Sequence, residues 1–383
     1  MRLRSRTLDQ IHSPIGEAFA LGLEGGKDRP LLNMSQAAPN HPTAPQIVER
    51  IAAAAEEPDM GFYAPQPGLP PLREAFARDL GKDYQATISA DQILITPGCN
   101  QAFCLVASAL GGPGTEIILI LPFYFNHDMW LRLDGTTVVH LRTGPDQMPD
   151  PEQAASLITD RTTAIVMVTP GNPSGAIVPP QLIAEFAALA ARSDIALIID
   201  ETYRSYREDP APAHGLYQDP AWDDHVVTLH SFSKDFALPG YRAGALVGAP
   251  ALLAECMKLL DCVTICTPRI SQEAVLAGLT QATEWRAERA RETRDKLDYF
   301  RQLMSDKPGG FELVSSGAYF GWLRHPDPDA STGAVVRKLV VDHDVLTIPG
   351  TAFLDKDRGM IRASFANLSF AELDELSIRL AEF

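Results

Sequence analysis

Lysine is scarce in this sequence: eight among 383 residues, against 49 acidic residues and a formal net charge of −16. That acidic balance argues against nucleic acid or an anionic membrane as the main partner, since both are gripped by clustered Lys and Arg. A small anionic ligand is still possible, because a few local donors can hold it. Cysteine is scarce as well. The five present, Cys99, Cys104, Cys256, Cys262 and Cys266, form no CxxC pair. Cys262 and Cys266 have no histidine beside them, so no metal site is expected. An odd number of thiols suits a reducing compartment. A chain of this length buries enough core to fold without disulfides. No apolar run approaches the ~20 residues of a membrane span. The first residues, "MRLRSRTLDQIHSPIGEAFA", lack the apolar centre of a signal peptide. These absences together predict a cytoplasmic protein with no nucleic-acid or membrane partner.

What is present is an alternation. Apolar runs stand at "EIILIL" (116–121), "TVVHL" (137–141), "TAIVMV" (163–168), "IALIID" (195–200) and "HVVTLH" (225–230). Between several of them lie helical patterns such as "NQAFCLVASAL" (100–110) and "PQLIAEFAALAARS" (180–193). Strands apolar throughout are expected where helices cover both faces of a mostly parallel sheet. The fold class is therefore α/β. After about Trp285 a charged helical stretch leads into short strands and helices. This predicts a large domain over 46–285 and a smaller α+β domain built from 1–45 and 286–383. The 30 prolines are read mainly as loop punctuation, as in "APNHPTAP".

Open α/β sheets bind ligands beyond the carboxyl ends of their strands. After "TAIVMV" comes "TPGNPSG", which holds Asn172 in a Pro/Gly turn. "IALIID" ends on Asp200, followed by Thr202 and Tyr203. After "HVVTLH" come Ser231, Ser233 and Lys234, with Arg242 eight residues further on. "ILITPGCNQAF" turns through Gly98 into a helix whose free N–H groups can receive an anion. Neither a dinucleotide fingerprint nor a P-loop is present. Taken singly, each feature has a plainer reading: a good turn, a capping carboxylate, an exposed loop lysine. Taken together, they place an anion site, an Asp, a Lys and an Arg on one edge of one sheet. Pyridoxal phosphate matches that set, with a phosphate, a basic ring nitrogen and an aldehyde that condenses with lysine.

Six segments then carry a resemblance to the class I/II aminotransferases, fold-type I pyridoxal phosphate enzymes, over roughly Leu32 to Phe383. They are "YAPQPGLPPLREAFA", "PFYFNH", "TPGNPSG", "DETY", "SFSKDFALPGYRAG" and "IRASFA". The resemblance implies transfer of an amino group from an amino acid to a 2-oxo acid by a ping-pong mechanism, with Lys234 as Schiff-base lysine and proton carrier. It implies that Asp200 partners the ring nitrogen, that Tyr203 and Asn172 bond the phenolic oxygen, and that Tyr124 stacks on the ring. Gly98, Cys99, Asn100, Ser231, Ser233 and Arg242 are implied to meet the phosphate. Tyr63 is implied to reach the phosphate of the partner subunit in a homodimer. Arg362, with Asn172 and backbone near Ala37, is implied to grip the substrate carboxylate. A lyase on the same scaffold, a C–S lyase or a ring-forming lyase, shares this set and is the alternative. No extra cation for a distal carboxylate is evident, so neutral amino donors are expected to be favoured over aspartate and glutamate.

Overall fold

The computed structural model describes residues 3–26 and 29–383. A short strand, β1 (Leu32–Asn33), precedes the main sheet. That sheet contains β2 (Ile93–Thr96), β3 (Glu116–Ile120), β4 (Thr137–Leu141), β5 (Thr162–Val168), β6 (Ala196–Asp200), β7 (Val226–Ser231) and β8 (Gly244–Val247). Its order is β2-β8-β7-β6-β5-β3-β4. β8 runs antiparallel to both neighbours, and every other pairing is parallel. The sheet is covered on both sides, which is why its strands are apolar on both faces. Ile95, Ile118, Ile165, Met167, Leu197 and Ile199 enter one core. Their neighbours Leu94, Ile117, Leu119, Val166 and Ile198 enter the other. Each fully buried aliphatic side chain of this kind contributes about 1.5–3 kcal/mol of transfer free energy.

Prolines do more than punctuate loops. Pro14, Pro45, Pro70, Pro151, Pro180 and Pro250 each open a helix. There the missing N–H is not needed and the fixed φ suits the first turn.

A second sheet joins β9 (Glu312–Gly317), β10 (Phe320–Arg324), β12 (Ile348–Pro349) and β13 (Met360–Ala363), all antiparallel. The strand between them in sequence, β11 (Val345–Leu346), pairs in parallel with β1. The N-terminal segment is thereby tied to the small domain. The helix Thr283–Ser305 connects the two sheets in sequence and runs through residue 285. Loops of the large sheet enter the small-domain core, where Tyr203 and Tyr206 pack with Phe300, Tyr319 and Phe320. The two parts also meet backbone to backbone. A Cβ on Gly317 would lie 2.1 Å from the Gly175 carbonyl oxygen, so neither position has room for a side chain. This contact sets the "TPGNPSG" turn against the sheet that carries Arg362.

Candidate active site

Parallel strands that end side by side deliver their last residues to one place. Asp200 closes β6 beside Val168 of β5 and Leu229 of β7. The turns that follow bring Asn172, Thr202, Tyr203, Ser231, Ser233 and Lys234 to the rim of a cavity of about 440 Å³. The small sheet closes the far side with Arg362, and the N-terminal segment adds Ser13, Ile15, Gln36 and Ala37.

Among the described residues, Asp200 is the only acid in the lining. Burial works against its charge, but the His127 ring and the Thr202 N–H outweigh it and hold the carboxyl below the usual carboxylate range. His127 Nε2 stands 3.4 Å from one oxygen. The Thr202 N–H donates to the other at 3.0 Å. His127 is fixed by stacking on Phe103, with ring centres 3.9 Å apart, and it meets Tyr124 edge-on at 5.2 Å.

Lys234 follows β7 on a one-turn helix, Phe232–Asp235. Its ammonium donates to the carbonyl of Ala37. Burial, with help from the nearby Arg362 and Arg242 charges, lowers its pKa to about 8. Arg362 is only 2% exposed. It donates to Asn172 Oδ1 at 2.9 Å and to the Ser35 carbonyl. The faces of Phe320 and Phe353 lie 5.2 and 5.0 Å from its guanidinium. Among the described residues no carboxylate pairs with it, and its Nε has no partner. Burial brings its pKa down to about 10, which still leaves it a cation at neutral pH.

At the other end, the helix Cys99–Leu110 starts after Gly98, whose φ of 90° suits glycine. The N–H groups of Cys99, Asn100 and Gln101 have no partner within the helix and are free for an anion. A Cβ on Gly98 would stand 2.3 Å from Arg242 Nη2, so the bare glycine makes room for that guanidinium. Arg242 spends one donor on the Pro239 carbonyl at 2.9 Å. Among the described residues it too has no carboxylate partner.

The structure therefore gathers Ala37, Cys99, Asn100, Tyr124, Asn172, Asp200, Tyr203, Ser231, Ser233, Lys234, Arg242 and Arg362 around one cavity, with Gly98 beneath it. Tyr63 is not among the lining residues and is 78% exposed. His127, Ser13 and Ile15 also line or support the cavity, and the pattern of strand ends in the sequence did not point to them. A signal for His127 was available, because it lies three residues after Tyr124 and so shares its helical face. For Ser13 and Ile15, distant in sequence, there was none.

The family described as aminotransferase class I and II matches residues 29–380. The chain belongs to it. The chain is 30% identical to the aromatic aminotransferase ISS1 of Arabidopsis thaliana, over 88% of this chain and 85% of that protein. To the aspartate/prephenate aminotransferase of Thermus thermophilus it is 29% identical, over 84% and 83%. It superimposes on the Thermus thermophilus aspartate aminotransferase solved with maleate at a TM-score of 0.89, with 27% identity and full coverage of both chains. This aminotransferase is a pyridoxal phosphate-dependent transaminase, and members of its family use that cofactor. The residues present fit that cofactor. Free helix N–H groups and Arg242, which has no carboxylate partner among the described residues, suit a phosphate, the ionised Asp200 suits a protonated ring nitrogen, and an amine of lowered pKa stands beside them.

The lowered pKa of Lys234 carries a cost in stability. Between pH 8 and 10.5 the unfolded chain holds the lysine proton and the folded chain releases it, so stability rises with pH across that window. Below pH 8 both states hold the proton and the penalty is present in full. Lys234→Met is therefore expected to make the apoprotein more stable at pH 7 by about 1–3 kcal/mol. The gap should close as the pH passes from 8 to 10.5. Denaturant unfolding across that range checks it, and a gap that ignores pH would count against a penalised amine.

Proposed function

We propose that this aminotransferase works by a ping-pong mechanism in which Lys234 is the covalent anchor and the proton carrier. The observation that carries this reading is the meeting, in one cavity, of an amine of lowered pKa, an ionised Asp200 and a buried Arg362 without a carboxylate partner. When bound, pyridoxal phosphate supplies an aldehyde that condenses with amines and a ring that accepts electrons. Asp200 keeps a proton on the ring nitrogen. Cys99, Asn100, Ser231, Ser233 and Arg242 would hold the phosphate, Tyr203 and Asn172 would bond the phenolic oxygen, and Tyr124 would pack on the ring. Arg362 takes both oxygens of the substrate carboxylate with its fork. Lys234 Nζ, released by the incoming amine, removes the proton from the substrate Cα. Borohydride reduction of the holoenzyme followed by peptide mapping should place the label on Lys234. Mixing holoenzyme with an amino acid alone should convert the cofactor to its amino form and release a 2-oxo acid. A label on Lys258 or Lys296, or release of ammonia with no 2-oxo acid, would sink the mechanism.

The working unit is proposed to be a cytoplasmic homodimer, divided within each chain at the boundaries read from sequence. Phe62, Tyr63, Val263 and Ile265 leave large apolar surface exposed. The segment bearing the first two is tied to the middle of the helix Pro250–Val263 by a Gln66 bond to the Met257 carbonyl at 3.0 Å. Thr264 in turn accepts from Gln101, in the first turn of the helix that starts at Cys99, at 2.9 Å. A second copy covering this surface would bring its Tyr63 to the phosphate end. Mixing Tyr63→Phe with Lys234→Ala should recover part of the lost activity through heterodimers. A fully active monomer in sedimentation would overturn the dimer.

The donor is proposed to have a neutral side chain. Among the described residues, the cations that line the cavity are Lys234, Arg242 and Arg362, and the proposed mechanism gives each a task. The remaining walls include Ile15, Tyr124, Phe125 and Asn126, all uncharged. Arg29, which might have served a second carboxylate, pairs instead with Glu382 at 2.9 Å. Arg269 pairs with Asp59 at 2.9 Å. A distal carboxylate would be desolvated without a partner, at a cost of several kcal/mol, on the order of what an unpaired buried charge incurs. kcat/KM for phenylalanine, leucine or methionine is expected to exceed that for aspartate. A preference for aspartate of about tenfold or more, ~1.4 kcal/mol, would mean a cation enters from elsewhere.

A further inference from the structure

Two buried tyrosines outside the cavity lining connect the small sheet to the lysine. Lys234 is the last residue but one of a one-turn helix, where carbonyl groups lack partners further along the helix. Its carbonyl receives a long bond from the Ala237 N–H at 3.4 Å. A shorter one comes from the Tyr206 hydroxyl, at 2.8 Å. A carbonyl cannot donate, so Tyr206 must spend its proton there. Its oxygen is then left as an acceptor, and the Tyr319 hydroxyl lies 3.2 Å from it. The direction of both bonds follows: Tyr319 donates to Tyr206, and Tyr206 donates to Lys234. Tyr206 and Tyr319 are 2% and 1% exposed, and burial raises the pKa of both, so each keeps the proton it must give. Phenylalanine would fill the same apolar volume without bringing a hydroxyl out of water. The two hydroxyls therefore need a reason beyond packing.

Tyr319 sits in the turn between β9 and β10, and its neighbour Phe320 starts β10. Phe320 lies under the Arg362 guanidinium, and β10 pairs with β13, which carries Arg362. The sheet that grips the substrate carboxylate is thus also the sheet that holds the lysine backbone. The side chain of Lys234 is held from the same side, since its amine donates to Ala37. Ala37 belongs to the N-terminal segment that joins the small domain through β1 and β11. Proton removal by an amine needs the nitrogen within about 3 Å of its target.

We propose that Tyr206 and Tyr319 are positioning residues, whose relayed hydroxyls let the sheet carrying Arg362 set where the Lys234 amine stands. This rests on the reading of Lys234 as the catalytic lysine.

The test uses holoenzyme of the parent, Tyr206→Phe, Tyr319→Phe and the double variant, with the amino acid that gives the fastest half-reaction. Each single variant is expected to slow the half-reaction at saturation by about five- to tenfold, with KM changed less than about twofold and a larger isotope effect from a Cα-deuterated donor. The double variant should be no slower than Tyr206→Phe, because Tyr319 acts only through Tyr206. The pH at which the resting enzyme's visible band titrates should shift in both single variants, a readout independent of turnover. The relay is overturned if Tyr206→Phe leaves the saturated rate and the band unchanged, if the two losses multiply, or if they appear only as a fall in the thermal unfolding temperature. Lys234→Ala serves as the control for the underlying reading: full turnover in that variant would defeat the assignment of the lysine, whatever the tyrosines do.

Discussion

A guanidinium lying close to two phenyl rings, with no carboxylate against it, places the strongest demand on this structure. Taking Arg362 out of water is costly, and neutral dipoles from Asn172 and Ser35 with two ring faces repay only part of that cost. The unsatisfied remainder is what an anionic ligand relieves. The same charge, with that of Arg242, presses the Lys234 amine toward its neutral form. In the proposed reading, one arrangement of cations would serve two ends: attracting carboxylate and phosphate, and readying the amine. Asp200 can remain ionised among them because His127 and Thr202 bond its oxygens.

Behind the cavity, the sheet ends are braced by a second set of polar groups. Side chains alternate in direction along a strand, so Glu201, the residue after Asp200, enters a separate buried network. Tyr84 donates to it at 2.5 Å, and His214 and His230 stand 3.5 and 3.8 Å away. Burial opposes that charge as well, yet these partners hold the carboxyl at about 2. Further along, Arg204 joins Asp79 and Asp83, and Arg286 joins Asp79 close to Asp235, the neighbour of Lys234. Buried pairs of this kind make expensive replacements for apolar packing, but breaking one partner leaves a charge stranded. They bind the lysine-bearing turn to the helices Pro70–Tyr84 and Thr283–Ser305.

Much of this was legible in the sequence, because the informative residues lie directly after apolar runs. "TAIVMV", "IALIID" and "HVVTLH" became β5, β6 and β7 with little change of boundary, and the residues after them became the cavity rim. The antiparallel β8 was not singled out, since nothing local in Gly244–Val247 records strand direction; that is fixed by pairing with β2 and β7. The partners of Glu201 were hidden for a similar reason, because Tyr84 and His214 reach it from distant segments. Ser13 and Ile15 enter the cavity because the N-terminal helix Pro14–Gly22 packs on the small domain, against the helix Thr332–His343 and β12. Local pattern reveals strand ends, whereas tertiary pairing decides what faces them.

The cation-lined cavity also sits in an unusual electrostatic setting, because it opens from a chain of net charge −16. At a distance beyond the reach of Arg362 and Arg242, an approaching molecule meets the field of the whole surface, and that field is negative. A zwitterionic amino acid with an uncharged side chain feels it weakly. A 2-oxo acid carries a full negative charge and is slowed on approach until salt shortens the range of the field to about 8–10 Å. In the proposed cycle, ionic strength would therefore bear more on the arrival of the acceptor than on that of a neutral donor.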